Sequence, residues 1–230
     1  MNFPRILKKR KGYIDRIKPF MQKSVAKVLT GQRRVGKSFL LYQLIEEILA
    51  EEPDANIIYV NLEDFTFSSL QTAEDLHSYI ISHSKEKVKN YIFIDEIQDI
   101  PGFEKVIRSL LLNEDNDIYI TGSNAKMLSG ELATYLSGRY IEFKIYSLSY
   151  SEFLEFHGLT ESETSYELYS RYGGLPYLLN LPLEDETVNE YLKSVYSTIV
   201  FRDVVSRYKL RNTLSVSYTH LRAHETELHL

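Results

Sequence analysis

Eight consecutive residues, Gly31-Gln32-Arg33-Arg34-Val35-Gly36-Lys37-Ser38, have the types and spacing to grip a phosphate. They read GxxxxGK followed by a hydroxyl residue, the pattern of a phosphate-binding loop. Two glycines let the backbone curl round an anion, and N–H groups opening a following helix point inward and favour negative charge. In that setting Lys37 reaches the β- and γ-phosphates of a nucleotide, Ser38 offers its hydroxyl to Mg²⁺, and the binding stretch runs on to Phe39. A second stretch, Tyr91-Ile92-Phe93-Ile94-Asp95-Glu96, runs four apolar residues into two acids. An acid at the end of a buried parallel strand faces a ligand crevice. Asp95 is placed to hold the water shell of Mg²⁺, and Glu96 to polarise an attacking water. Further along, Ser123 or Asn124 could sense a γ-phosphate; the same residues also suit a turn and the cap of a following helix. Arg139 carries a fork suited to a phosphate in transfer, and a surface salt bridge is the equal alternative from position alone.

The flanking patterns supply elements to hold these groups. Val25 to Thr30 is apolar and β-branched enough for a buried strand, and Phe39, Leu40, Leu41, Leu44, Ile45, Ile48 and Leu49 recur at helical spacing. A short helix over 13–22 leads into that strand. Residues 56–61 form a second strand, with Glu63-Asp64-Phe65 at its exit, and Leu76, Tyr79, Ile80 and Ile81 mark a helix. Phe103, Val106, Ile107, Leu110 and Leu111 mark an amphipathic helix, followed by strands over 117–124 and 140–145 with a short helix over 127–136 between them. Ser149-Tyr150-Ser151-Glu152 is a capping box, and Gly173-Gly174-Leu175-Pro176 breaks the chain before a long amphipathic helix over 188–208. The strand–helix alternation stops near 146–150, so a phosphate-loop core over 1–148 and a helical region over 149–214 are expected.

Composition narrows the class. The chain has 230 residues, 43% hydrophobic and 26% charged, which suits a globular protein. A net charge of −5 argues against binding nucleic acid through the whole surface, although Lys8-Lys9-Arg10-Lys11 could form a local patch or a solvated tail. Without cysteine there is no disulfide and no thiolate metal site. No apolar run is long enough to span a membrane, so a cytoplasmic location with no membrane partner is expected. The last sixteen residues, 215–230, break the pattern: they carry His220, His224 and His229, and 217–226 resembles translated sequencing-adapter bases, with an ordinary polar helix end as the alternative. The expectation is a non-native tail and an authentic chain continuing beyond about residue 214, and the His220/His224 spacing is therefore not read as a metal site.

One strand between the phosphate loop and the Asp-bearing strand, with Glu96 directly after Asp95, fits the ATPases that use an added strand and a catalytic glutamate. Guanine selection by an NKxD element is absent; Asn124-Ala125-Lys126-Met127 does not supply it. The chain resembles a large group of uncharacterised prokaryotic AAA-like ATPases that carry a C-terminal domain of unknown function. The matching residues are Thr30 to Ser38, Phe93-Ile94-Asp95-Glu96-Ile97-Gln98, Ile120-Thr121-Gly122-Ser123-Asn124, Leu136-Ser137-Gly138-Arg139, Tyr172-Gly173-Gly174-Leu175-Pro176 and the helix around Val200 to Val205. The resemblance implies an α/β P-loop NTPase with a parallel five-stranded sheet in the order 5-1-4-3-2, helices on both faces and a small helical lid. It also implies Mg²⁺-dependent ATP hydrolysis driving a conformational change on some target, with a homo-oligomer possible and a protein or nucleic-acid partner unspecified. An ATP-gated switch with negligible turnover and a DNA-associated module are the rivals.

Overall fold

A computed structural model describes residues 8–122, 135–136 and 138–199. Five strands, β1 (Ala26–Thr30), β2 (Asn56–Asn61), β3 (Asn90–Asp95), β4 (Asn116–Gly122) and β5 (Tyr140–Lys144), form one sheet in the order β2-β3-β4-β1-β5. All pairings are parallel, so every strand exit lies on one edge. This is the expected order. The three inner strands are buried along their whole length, whereas β2 and β5, at the sheet's edges, are only partly covered. That difference follows the sequence: continuous apolar runs suit strands covered on both faces.

Each face has its own core. On one, Val28, Ile92, Ile94, Ile118 and Ile120 meet α3 (Ala73–His83) through Leu76 and Ile80, and α4 (Phe103–Leu110) through Phe103, Val106, Ile107 and Leu110. On the other, Leu29, Tyr91, Phe93, Tyr119 and Phe143 meet α1 (Lys11–Ile17) and α2 (Lys37–Glu51). Helix α2 buries Leu40, Leu41, Leu44, Ile45 and Ile48, a stripe at three- and four-residue spacing. With about 1.5–3 kcal/mol per fully buried aliphatic side chain, this stripe fixes the helix that begins at the phosphate loop.

The elements differ from the sequence expectations at two places. The first helix is shorter than expected, α1 followed by a 3-10 turn over Lys18–Phe20, because Pro19 cannot extend the α-helical bonding. A helix not anticipated, α6 (Glu163–Tyr172), follows α5 (Tyr150–His157); its amphipathic stripe is weak, and Ser162 caps it by accepting from Ser165 N–H. The Ser149–Glu152 capping box forms as expected. The chain divides into two compact units after Asn180. The second unit contains α7 (Asp185–Ile199), which begins the expected long helix. The helix expected over 127–136 lies almost wholly outside the described residues, as do the continuation to 208 and the expected tail 215–230.

Arg10 shows why α5 stays with the core. Its side chain is buried, and its guanidinium donates to Glu152 Oε1 and Oε2, both at 2.8 Å, to Tyr146 O at 2.8 Å and to Val35 O at 3.2 Å. Burial alone would raise the Glu152 carboxyl, but hydrogen bonds from Arg10 and Ser149 outweigh it and hold the group below its ordinary value. Three members of the basic run are thus tied to the rest of the chain rather than loose, and Lys11 is exposed. Lys8 Nζ donates to the Glu155 carbonyl, Lys9 bonds Glu47 at 2.7 Å, and Arg10 is the hub just described.

Candidate functional site

The exits of β1, β3 and β4 place the predicted groups side by side. Gly31 leaves β1 with φ +149, and a Cβ there would collide with the Ile145 carbonyl oxygen, so only glycine fits where the loop passes the end of β5. The loop then turns into α2, with Gly36 at the helix cap. Arg33 pairs with Glu63 beyond β2 at 3.3 Å, and Gln32 and Arg34 are exposed on the loop. Val35 is buried beneath it. Phe39 stands half exposed on the first turn, edge-on to Tyr42.

Lys37 is 4% exposed and its Nζ donates to Gln32 O at 3.0 Å and Gly31 O at 3.2 Å. The ammonium therefore sits inside the loop, held by carbonyls that a phosphate could replace. Burial pushes its pKa down, and Glu96 and Asp95 oppose that shift. Glu96 Oε1 lies 3.6 Å from Lys37 Nζ, while Glu96 Oε2 accepts from Gln98 Nε2 at 2.5 Å.

Asp95 is 1% exposed, and burial raises its pKa despite hydrogen bonds from Ser38 and Thr121. Tyr59 OH also donates to Asp95 Oδ2, at 3.4 Å, and lies 3.0 Å from Tyr42 OH, from which it can accept. Burial, with Asp95 beside it, drives the Tyr59 phenol far above its ordinary value, so it is a permanent donor. The donor set fits Mg²⁺: a serine hydroxyl and a buried carboxylate are already in contact, both hard oxygens. Among the described residues there is no group of three or more acids or histidines that could cage a metal. The loop fits the phosphates of a nucleotide, since it wraps the buried Lys37 ammonium and opens into the N-terminus of α2.

The structure therefore brings together Lys37, Ser38, Asp95 and Glu96. Ser123 and Asn124, the expected sensors, lie outside the described residues. Arg139 is not brought to the loop of its own chain. It precedes β5, its carbonyl accepts from Ala26 N–H, and its side chain is exposed at the amino edge of the sheet. The five residues of β1 separate it from the loop, roughly 16 Å at about 3.3 Å per residue. Arg139 and the loop thus lie at opposite edges, because a residue entering a parallel strand starts at the edge opposite the strand exits.

The Gly-Gly-Leu-Pro break does reach the site. A Cβ on Gly174 would collide with the Leu148 carbonyl, and Leu148 N–H donates to Gly174 O at 2.7 Å. This close approach sets Pro176 beside the loop, its Cγ 3.7 Å from where a Cβ on Gly36 would stand. Sequence reasoning missed Thr121, Tyr59 and Gln98 as individual members of the site. The first two become visible only through strand register: Asn61 pairs with Asp95, and Ile94 with Ile120, which sets Thr121 next to Asp95.

A family model described as an AAA domain matches residues 23–154. An uncharacterized protein of Haemophilus influenzae is 38% identical over 216 residues, covering 89% of this chain and 52% of that protein. One from Methanocaldococcus jannaschii is 33% identical over 199 residues, covering 81% and 43%. The chain thus spans about half the length of the curated relatives it matches. Among solved structures, Aeropyrum pernix ORC1 in complex with DNA superposes with a TM-score of 0.50 at 14% identity, covering 85% of this chain and 66% of that one. Saccharomyces cerevisiae Hsp104 in its casein complex gives 0.51 at 15% identity, covering 87% and 39%. At such identity these likenesses show the P-loop fold alone.

Proposed function

The chain belongs to the AAA-domain family, and from that premise we propose that it binds ATP with Mg²⁺ and hydrolyses it. The observation that carries this reading is the convergence of a phosphate-loop lysine, a hydroxyl and two acids on one sheet edge: Ser38 on Asp95, and Lys37 3.6 Å from Glu96. Lys37 exchanges the loop carbonyls for phosphate oxygens. Ser38 and Asp95 would hold Mg²⁺, which when bound neutralises charge on the phosphates. Glu96 takes the proton of a water aimed at the γ-phosphate, once its carboxylate is released from Gln98. Ser123 or Asn124 would sense that phosphate. Arg139, on the opposite edge, would act only on the nucleotide of a neighbouring copy, so its role requires a homo-oligomer. The consequence is a conformational change on a target, with residues 149–214 as lid and start of a further region.

One observation favours a switch with little turnover. Both Glu96 oxygens are engaged, one near Lys37 and one by Gln98, so the base is held in a resting position. For the DNA-associated reading the basic run offers only the exposed Lys11 freely, since Lys8, Lys9 and Arg10 make contacts within the chain.

Glu96→Gln tests the proposal, since it keeps shape and removes the base. ATP should bind nearly as in wild type, while single-turnover hydrolysis falls by about 10²–10⁴. Asp95→Asn should instead weaken Mg²⁺-dependent binding as well as the rate. Wild-type hydrolysis by Glu96→Gln would remove Glu96 as the base, and ATP binding by a wild type without turnover would favour the switch.

A further inference from the structure

We propose that Thr121 is the positioning residue for both acids of this site, setting Asp95 for the metal and Glu96 for the water through one hydroxyl; the inference rests on the ATPase reading above. Thr121 is wholly buried. Its Oγ1 donates to Asp95 Oδ1 and accepts the Glu96 backbone N–H at 2.9 Å. A hydroxyl has one proton to give. Here that proton is committed to the carboxylate and a lone pair to the amide, so the group cannot rotate without breaking one of them.

Geometry explains why such a clamp is needed. Successive residues of a strand point to opposite faces, so a continued β3 would send Asp95 and Glu96 apart. Glu96 instead leaves the strand in the left-handed region, φ 56 and ψ 47, a conformation that costs any residue with a Cβ. This turn swings its carboxylate back toward Lys37. The N–H of the strained residue is the group that Thr121 holds. Tyr59 and Ser38 also contact Asp95, but Thr121 alone among these ties Asp95 to Glu96. Its own position is firm, because β4 lies between β3 and β1 and Thr121 pairs with Leu29 beside the phosphate loop.

Thr121→Val keeps the shape and deletes the hydroxyl; Thr121→Ser keeps the hydroxyl and deletes the methyl. In the nucleotide-free protein, amide hydrogen exchange at Glu96 should speed up in the valine variant and stay near wild type in the serine one. In calorimetric titrations of ATP at varied Mg²⁺, the Mg²⁺ needed for half-maximal binding should rise about 10–100-fold in the valine variant, the usual cost of losing an outer-shell partner, with metal-free ATP affinity unchanged. Turnover should show a lower kcat with KM at saturating Mg²⁺ preserved, and serine should restore it. A folded valine variant with wild-type Glu96 exchange and a wild-type Mg²⁺ requirement overturns the proposal. So does a serine variant as impaired as valine. Absence of ATP hydrolysis by the wild type would sink the ATPase reading, yet the exchange and Mg²⁺-linked binding measurements would still decide Thr121. If valine does not fold, Thr121→Cys, with a much weaker donor, takes its place under the same criteria.

Discussion

The two edges of the sheet each bury a lysine and an aspartate, and treat them in opposite ways. At the amino edge Lys27 and Asp117 are both fully buried and bonded directly to each other. Lys27 Nζ also donates to Val25 O at 3.0 Å and lies over the Tyr119 ring at 4.8 Å. Asp117 Oδ2 accepts from Tyr119 OH at 2.8 Å and from Gln22 N–H at 2.7 Å. Every strong group there has a partner. At the carboxyl edge Lys37 approaches Glu96 only to 3.6 Å, and Asp95 accepts from hydroxyls with no cation bonded to it. The first network is closed, so it ties the turn before β1 to β4. The second is left short of positive charge beside a cradle short of negative charge, the condition for taking up a cation and a phosphate together.

The sharpest way to break this comparison is at the closed end. Burial lowers the Lys27 pKa against the pull of Asp117, so the pair survives only through its mutual contact and carbonyl partners. Lys27→Met leaves Asp117 charged, buried and without its cation. The expected loss is about 3–5 kcal/mol in urea unfolding, the range for halving a buried pair. A loss below about 1 kcal/mol would mean that Asp117 reaches water and the edge is not closed. ATP affinity of the folded fraction should stay at the wild-type level.

Lys37→Ala should give the reverse pattern. Its contacts are loop carbonyls and a distant carboxylate, so folding stability should change by no more than about 1 kcal/mol, as for an ordinary hydrogen bond. ATP affinity should fall by about 2–3 kcal/mol, the cost of a lost charge-assisted contact. Calorimetry beside urea unfolding checks both halves. Unchanged affinity would remove the phosphate-loop assignment, and a collapse in stability would erase the contrast between the edges.

How much of this was legible in the sequence varies with the range of the interaction. Local patterns were enough for the strand, loop and helix around Gly31 to Ser38, for β3 running into Asp95, and for the Ser149–Glu152 box. The sheet order came from family resemblance, since no local pattern encodes which strand lies beside which. Thr121 was passed over as one polar residue in a strand exit. Its role depends on the β3–β4 register, which pairs Ile94 with Ile120. Arg10 was read as part of a basic tail because its partners Val35, Tyr146 and Glu152 are distant in sequence. The left-handed turn at Glu96 was equally hidden, as glutamate gives no hint of positive φ. The edge on which Arg139 lies follows from an all-parallel sheet, where a residue just before a strand starts away from the phosphate loop.

Asp95 offers the smallest effect and the finest test of the comparison. Burial raises its folded-state pKa above the unfolded value. Between those two values the native chain holds more protons than the unfolded one, so stability is present below the unfolded pKa and is lost as pH rises through the folded one. At neutral pH the nucleotide-free protein therefore carries the cost of a buried, uncompensated carboxylate. Asp95→Asn removes that charge, and the hydroxyls of Ser38 and Thr121 can turn to suit an amide. Without nucleotide the variant should be more stable than wild type at neutral pH by about 0.5–2 kcal/mol, the gain common when a functional cost is relieved. For a chain of this size each kcal/mol shifts Tm by about 2–4 °C. The gain should shrink as pH is lowered toward the range where Asp95 itself protonates, and reverse in sign when Mg²⁺ and ATP are added, because the wild type alone then gains ligand stabilisation. An Asp117→Asn variant, measured alongside at neutral pH, should lose stability, because Lys27 is left buried without its anion. If both substitutions destabilised the nucleotide-free protein equally, the carboxyl edge would be as closed as the amino edge, and Asp95 would be a structural acid.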